Sequence, residues 1–318
     1  MIEKPLIILS IIFTMVGLKP ASLRYDQAIA KLESGNNAEV IASEDPSQIG
    51  FPEITRTPKV KPFTEKPAIN AYHYALGDME SGKILFKQAA SEKVPIASTT
   101  KIMTAIIALE NYKPTDVMTV SPQAASQIGA EVFLRAGEQI TFEQLLYCML
   151  LKSGNDSAYA IAEHLSAGSD VTPFVALMNK KAKQLGMSNT EYHDPAGLDI
   201  TGYSSAEDLF LVTRYALDNK VFRSITSTAK YSAHNLDSSV IHPLENSNRL
   251  VNQYEYMGAI GVKTGYMPEA GHCLVAAVER EGHVLISVVL RTFSDTAPAS
   301  ADESKKIQDW GWANIEWR

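Results

Sequence analysis

The sequence predicts an α+β domain with a mostly antiparallel sheet. Three observations predict it: strand-like runs stand at both ends of the region from residue 68 onward, helical patterns fill its middle, and no internal repeat divides the chain. Length alone allows one large domain or two ordinary ones. Of 318 residues, 45% are hydrophobic and 8% aromatic, ample apolar material for a sizeable core.

The elements follow in chain order. Lys4 precedes residues 5–18, a run of uncharged residues. That length suits the apolar part of an export signal and is short for a membrane span, which needs about 17–25 residues. Cleavage is expected after Ala21 or Ser22. Lys19 and Pro20 spoil the small-x-small spacing there, so a retained short N-terminal anchor over 1–22 is the alternative. Either way the protein is expected to work outside the cytoplasm, in the periplasm or on the cell-wall side of the membrane. Residues 23–67 read as a linker: a short helical pattern at 25–32 is followed by 36–67, polar, without period, and carrying Pro46, Pro52, Pro58, Pro62 and Pro67. The folded domain is expected over 68–318.

Strands are expected at 71–76 and 83–87, joined by the turn-rich Gly77-Asp78-Met79-Glu80-Ser81-Gly82. Helical spacing marks 98–111, 141–151, 156–165, 173–185 and 205–217, and Thr141 with Gln144 forms a capping-box pattern. Strand-like runs return at 259–263, 273–279 and 284–291. Residues 302–317 read as an amphipathic helix with Ile307, Trp310, Ala313 and Trp317 on one side.

Several function classes are excluded by composition. The formal net charge is −7 and no Lys/Arg cluster lies beside aromatics, so nucleic acid is not an expected partner. Cys148 and Cys273 are the only cysteines, and neither belongs to a CxxC or Cys/His cluster; no metal site is expected. Each sits in an apolar run and reads as a buried free thiol, with a disulfide between them as the lesser alternative.

Three short motifs carry chemistry: Ser98-Thr99-Thr100-Lys101, Ser153-Gly154-Asn155 and Lys263-Thr264-Gly265. Each alone is weak, since Ser227-Thr228-Ala229-Lys230 repeats the first pattern and Ser34-Gly35-Asn36 the second. Context separates them. Ser98 opens a long apolar helix, whereas Ser227 lies in a polar stretch with no helix behind it and Ser34 at the linker's edge. On a helix, positions i and i+3 share a face, so the Lys101 amine can reach the Ser98 hydroxyl. Serine is a weak nucleophile and needs a base. Lysine serves only if its pKa falls, which burial and a second nearby cation would achieve; Lys263 is the candidate cation. Taken alone, Ser98 and Lys101 would more often be a capping serine and a surface lysine. Ser153 and Asn155 fall in a break between helices, where they also suit a simple cap. Lys263-Thr264-Gly265 is expected to end a strand whose edge could pair with an extended peptide, with Gly265 permitting close approach.

The motifs occur in the order found in penicillin-binding proteins and serine β-lactamases. The stretches VPIASTTKIMTA, GEQITFEQLLYCMLLKSGNDSA, HDPAGLD and GVKTGYMPEAGHCLVAAVEREGHVLISVVL resemble, in order, segments of serine-type D-Ala-D-Ala carboxypeptidases, the low-molecular-mass penicillin-binding proteins. The resemblance implies a β-lactamase/transpeptidase-like fold, a five-stranded antiparallel sheet flanked by helices beside a helical subdomain. It implies Ser98 as acylated nucleophile, Lys101 as its base and Ser153 as proton relay to the leaving D-alanine. Asn155 would position substrate, Lys263 and Thr264 would bind its terminal carboxylate beside Gly265, and backbone N–H groups of Ser98 and Tyr266 would hold the oxyanion. The implied partners are peptidoglycan stem peptides ending in D-Ala-D-Ala, with β-lactams as covalent inhibitors and no cofactor. Many members carry a further C-terminal β-domain and a membrane-anchoring helix. Here the chain stops after its closing helix, so any tether is expected at the N-terminus.

Three rivals would share the fold. A D,D-endopeptidase acting on crosslinks uses the same residues. A class A β-lactamase would show SDN and a deacylating glutamate in ExxxN. This chain has SGN, and its best-placed glutamate, Glu191, is followed by Pro195 where asparagine is needed. A non-hydrolytic wall protein would be expected to have lost Ser98, Lys101 or Lys263. Of the histidines, His272 could line the cleft, whereas His193 and His234 read as loop or surface.

Overall fold

A computed structural model describes residues 57–318. The expected export segment at 1–22, the helical pattern at 25–32 and most of the linker lie outside the described residues. Eleven strands occur among the described ones. In chain order they are β1 (Pro58–Val60), β2 (Ala71–Asp78), β3 (Ile84–Gln88), β4 (Val117–Thr119), β5 (Gln139–Thr141), β6 (Lys230–His234), β7 (Ile241–Glu245), β8 (Ala259–Met267), β9 (Gly271–Arg280), β10 (His283–Thr292) and β11 (Ile315–Trp317). Five form the main sheet, in the order β3-β2-β10-β9-β8 with every pairing antiparallel. The expected α+β class and five-stranded antiparallel sheet are what the chain adopts.

Seven helices of at least seven residues accompany the strands: α1 (Lys101–Asn111), α2 (Phe142–Leu151), α3 (Asn155–Ser166), α4 (Thr172–Gln184), α5 (Ala206–Asp218), α6 (Lys220–Thr226) and α7 (Ala299–Asn314). Period-2 alternation divides the sheet into two faces. Leu285 and Val289 of β10 pack with Leu76, Ile307 and Trp310 under α7, while Ile286, Val288 and Leu290 face the larger core that includes Leu209, Phe210 and Val212 of α5. Helix α1 is apolar all round and buried from Lys101 to Ala108, as a helix at a core's centre must be. It packs on α3, α4 and α5. Helix α5 packs on β10 and β2, while α6 and residues 97–100 pack on β8, an edge strand. No helix among the described residues is long and apolar enough to cross a membrane.

Several expectations need correction. Residues 58–60, read as linker, pair with 315–317, and Lys61 N–H donates to Asn314 O at 2.9 Å, so the folded unit begins ahead of residue 68. The last helix ends at Asn314. Trp317 leaves it to pair with Pro58, its indole N–H donating to Asp78 at 2.8 Å, and Ala313 is exposed. Strand pairing with a distant segment overrides the helical period there. Lys263-Thr264-Gly265 lies inside β8, which runs on to Met267 in register with β9. Thr141 does cap α2, accepting from Gln144 N–H at 3.4 Å, but the Gln144 side chain turns away to Tyr231 OH and His234 N–H instead of completing the box. Hairpins β4–β5 and β6–β7 and helix α6 interrupt the expected helical middle. Ser227 therefore follows a helix, though it remains exposed. Both cysteines are free and buried.

Candidate active site

Ser98 sits in a 3-10 turn, Ala97–Thr100, that runs directly into α1, so the expected helix start is a tighter turn followed by an α-helix. Ala97 just before it holds φ 47°, a left-handed conformation costly for a residue with a Cβ. The i,i+3 spacing delivers what it implied: Lys101 Nζ lies 2.9 Å from Ser98 Oγ. Two further atoms crowd the same nitrogen, Asn155 Oδ1 at 2.8 Å and the Ala196 carbonyl at 2.8 Å. Both can only accept. The Asn155 amide is fixed the same way, because its Nδ2 donates to Ile128 O at 2.7 Å. A neutral Lys101 amine has two hydrogens and one lone pair. The hydrogens serve Asn155 and Ala196, which leaves the lone pair for the Ser98 hydroxyl.

Electrostatics favour that neutral form. Lys101 is fully buried, and burial lowers its pKa to about 7, against the opposing charges of Asp194 and Asp156. Lys263 is also buried and held well below the usual lysine range, first by desolvation and then by the Lys101 cation. The expectation that a neighbouring cation is what depresses Lys101 is thus revised: desolvation by burial is the main cause for both lysines. Lys263 Nζ donates to Thr264 O at 2.9 Å.

The remaining residues close around this pair. Ser153 lies in the α2–α3 break at φ 68° and is buried. None of the Lys101 hydrogen bonds reaches it. Gly265 runs so close to the Ser98 turn that a Cβ there would stand 2.9 Å from Ile96 O and 3.2 Å from Ser98 N, which only glycine allows. This contact brings Ser98 and Tyr266 backbones together from two separate segments. Thr264 Oγ1 shares a hydrogen bond of 2.7 Å with Ser247 Oγ. The Tyr266 ring stacks on His272 at 4.3 Å, and His272 Nε2 lies 3.4 Å from Asp295, so His272 borders the site through Tyr266.

Sequence reasoning missed two contributors. Asp194 accepts N–H bonds from Ala196, Gly197, Leu198 and Asp199 at 2.6, 2.7, 2.9 and 2.7 Å, folding the loop that presents Ala196 O to Lys101. Thr104 secures it by donating to Pro195 O at 2.6 Å. Asp-Pro-Ala-Gly was the available signal, a turn-forming run. Ser247 was the second, hidden in the polar Asn246-Ser247-Asn248. Among the described residues no group of three His, Cys, Asp or Glu side chains is placed to hold a metal.

The D-alanyl-D-alanine carboxypeptidase family, peptidase S11, matches residues 61–294. The chain belongs to that family. Among S11 relatives, D-alanyl-D-alanine carboxypeptidase DacF of Bacillus subtilis is 34% identical over 261 residues, covering 80% of this chain and 65% of that protein. A Streptomyces D-alanyl-D-alanine carboxypeptidase is 34% identical over 264 residues, 78% of this chain and 89% of that protein. A Pseudomonas aeruginosa D-alanyl-D-alanine endopeptidase is 32% identical over 218 residues, 68% of this chain and 69% of that protein. The crystal structure of a Streptomyces DD-transpeptidase superposes with a TM-score of 0.73 at 33% identity, covering 79% of this chain and all of that one. This S11 chain thus spans just under two thirds of its Bacillus subtilis relative and most of the Streptomyces one.

Proposed function

We propose that this chain is a serine D-alanyl-D-alanine carboxypeptidase that removes the terminal D-alanine from peptidoglycan stem peptides outside the cytoplasm. One observation carries the reading: a buried lysine whose two hydrogens are committed to Asn155 and Ala196, so that its lone pair faces Ser98.

Lys101 takes the Ser98 proton as Oγ bonds to the carbonyl carbon of the penultimate D-alanine. The carbonyl electron pair moves onto oxygen, where the N–H groups of Ser98 and Tyr266 stabilise it. The intermediate collapses, the C–N bond breaks, and the proton passes through Ser153 to the leaving D-alanine nitrogen. Water then adds to the ester and releases Ser98. Asn155 holds the peptide. A carboxylate arriving beside Lys263, Thr264 and Gly265 would favour the Lys263 ammonium and so anchor the substrate's C-terminus. β-Lactams would acylate Ser98 by the same steps. Glu191, the glutamate best placed in sequence for rapid deacylation, is exposed and hydrogen-bonded by Tyr203, which argues against β-lactamase activity.

The test is D-alanine release from a diacyl-Lys-D-Ala-D-Ala peptide, with Ser98→Ala as control and with or without benzylpenicillin. Release that requires Ser98 and stops on acylation is expected. A stable penicillin adduct without release would move the assignment to crosslink cleavage, the activity named for the Pseudomonas aeruginosa relative, and a crosslinked muropeptide dimer would then be the substrate to try. Residues 1–22 are proposed to export the chain. An exported protein whose mass begins near Leu23 would mean a free enzyme, an intact Met1 a tethered one, and retention in the cytoplasm would refute export.

A further inference from the structure

His242 of β7 is buried, and both of its ring nitrogens face acceptors: Nδ1 lies 3.0 Å from Val132 O and Nε2 lies 2.8 Å from Glu138 Oε1. Nδ1 donates to the Val132 carbonyl and Nε2 meets the Glu138 carboxyl group in a second hydrogen bond, so one ring ties two points of the chain together. Glu138 is buried too, and its second oxygen accepts from Arg135 N–H at 2.9 Å. The pair thus grips the segment running from Val132 to Glu138 at both ends.

That segment continues into the active site. Val132 N–H and Leu134 N–H donate to Asp156 Oδ2 at 3.0 and 3.1 Å. Asn155 N–H donates to Ala130 O at 2.7 Å, and Asn155 Nδ2 to Ile128 O at 2.7 Å. The last bond decides which end of the Asn155 amide faces Lys101. Val132 and Leu134 are buried in the main core, whereas Ile128 and Phe133 are 78% and 75% exposed, so packing anchors 132–134 while the tip at 128–130 depends on its polar bonds.

We propose that His242 is a positioning residue for the reaction: by clamping residues 128–134 through Val132 and Glu138, it sets the Asn155 amide against Lys101. The proposal rests on the serine-peptidase reading above.

Three variants test it: His242→Ala, Glu138→Ala and Glu138→Gln. In Glu138→Gln a neutral ring can still donate from Nδ1 to Val132 and accept at Nε2 from the glutamine amide, so every hydrogen bond survives. The rate of Ser98 acylation by benzylpenicillin is followed against pH, together with amide hydrogen exchange over residues 128–134. Both alanine variants are expected to acylate at least about tenfold slower, with faster exchange in the segment. Their acylation midpoint should move above that of the native protein, because a loosened segment admits water to Lys101 and relieves its desolvation. Glu138→Gln is expected to stay within about threefold of native with an unmoved midpoint. Alanine variants that lose only thermal stability, with native rate and midpoint, would overturn the proposal. So would a Glu138→Gln protein as impaired as Glu138→Ala. Should His242→Ala not fold, the two Glu138 variants carry the same comparison. If native Ser98 is not acylated, the serine-peptidase reading fails, and unchanged exchange in the alanine variants would separately refute the clamp.

Discussion

Replacing Lys101 by methionine is expected to slow acylation of Ser98 by about 10²–10⁴-fold, the usual contribution of a positioned base. Methionine keeps much of the volume inside the core but has no lone pair of comparable basicity. It also leaves Asn155 Oδ1 and Ala196 O without their donor, so a modest stability loss of about 1–3 kcal/mol should accompany the change. The check is the time course of penicillin adduct formation by intact-protein mass spectrometry, on samples shown by circular dichroism to be folded. Native-like acylation in a folded Lys101→Met protein would remove Lys101 from the role of base.

The second large effect is expected at Asp194, a residue that need not touch substrate. Its carboxylate organises four backbone N–H groups and so aims the Ala196 carbonyl. Asp194→Ala strands those donors, the Ala196 end of the loop being buried and the Leu198–Asp199 end exposed, and a loss on the order of 3 kcal/mol is expected in urea unfolding, together with most of the acylation rate. Asp194→Asn separates charge from shape. The negative charge of Asp194 favours the Lys101 ammonium. Removing it should therefore lower the Lys101 pKa, and the acylation midpoint should move to lower pH even as the maximal rate falls. A midpoint displaced upward would show that wetting of a disrupted loop outweighs the lost charge.

The parts of the fold and site that could be read from the sequence are those set by short-range periodicity. Ser98 and Lys101 are one helical turn apart, so their meeting needs no knowledge of the rest of the chain. The strands β9 and β10 announce themselves as continuous β-branched and apolar runs. By contrast, Ala196 reaches Lys101 across 95 residues through a backbone carbonyl, whose position no side-chain identity encodes. Hairpin β6–β7 alternates only weakly, since KYSAH and IHPLE carry few large apolar residues, and its buried members include His242. Trp317 fits a helical stripe in sequence and becomes a strand residue only because Pro58, 259 positions earlier, supplies a partner. Likewise Lys101 and Lys263 were foreseen as neighbouring charges, but the dominance of burial over their repulsion depends on how completely the core closes around them.

The most direct test of the central claim, that a buried neutral Lys101 activates Ser98, is the pH dependence of acylation by benzylpenicillin. Below the Lys101 pKa the lone pair is occupied by a proton. The second-order rate should therefore rise about tenfold per pH unit at acid pH, bend near 7 and stay level above it. A rate that keeps climbing through pH 9, as an ordinary solvated lysine would give, or one indifferent to pH between 5 and 9, would contradict it.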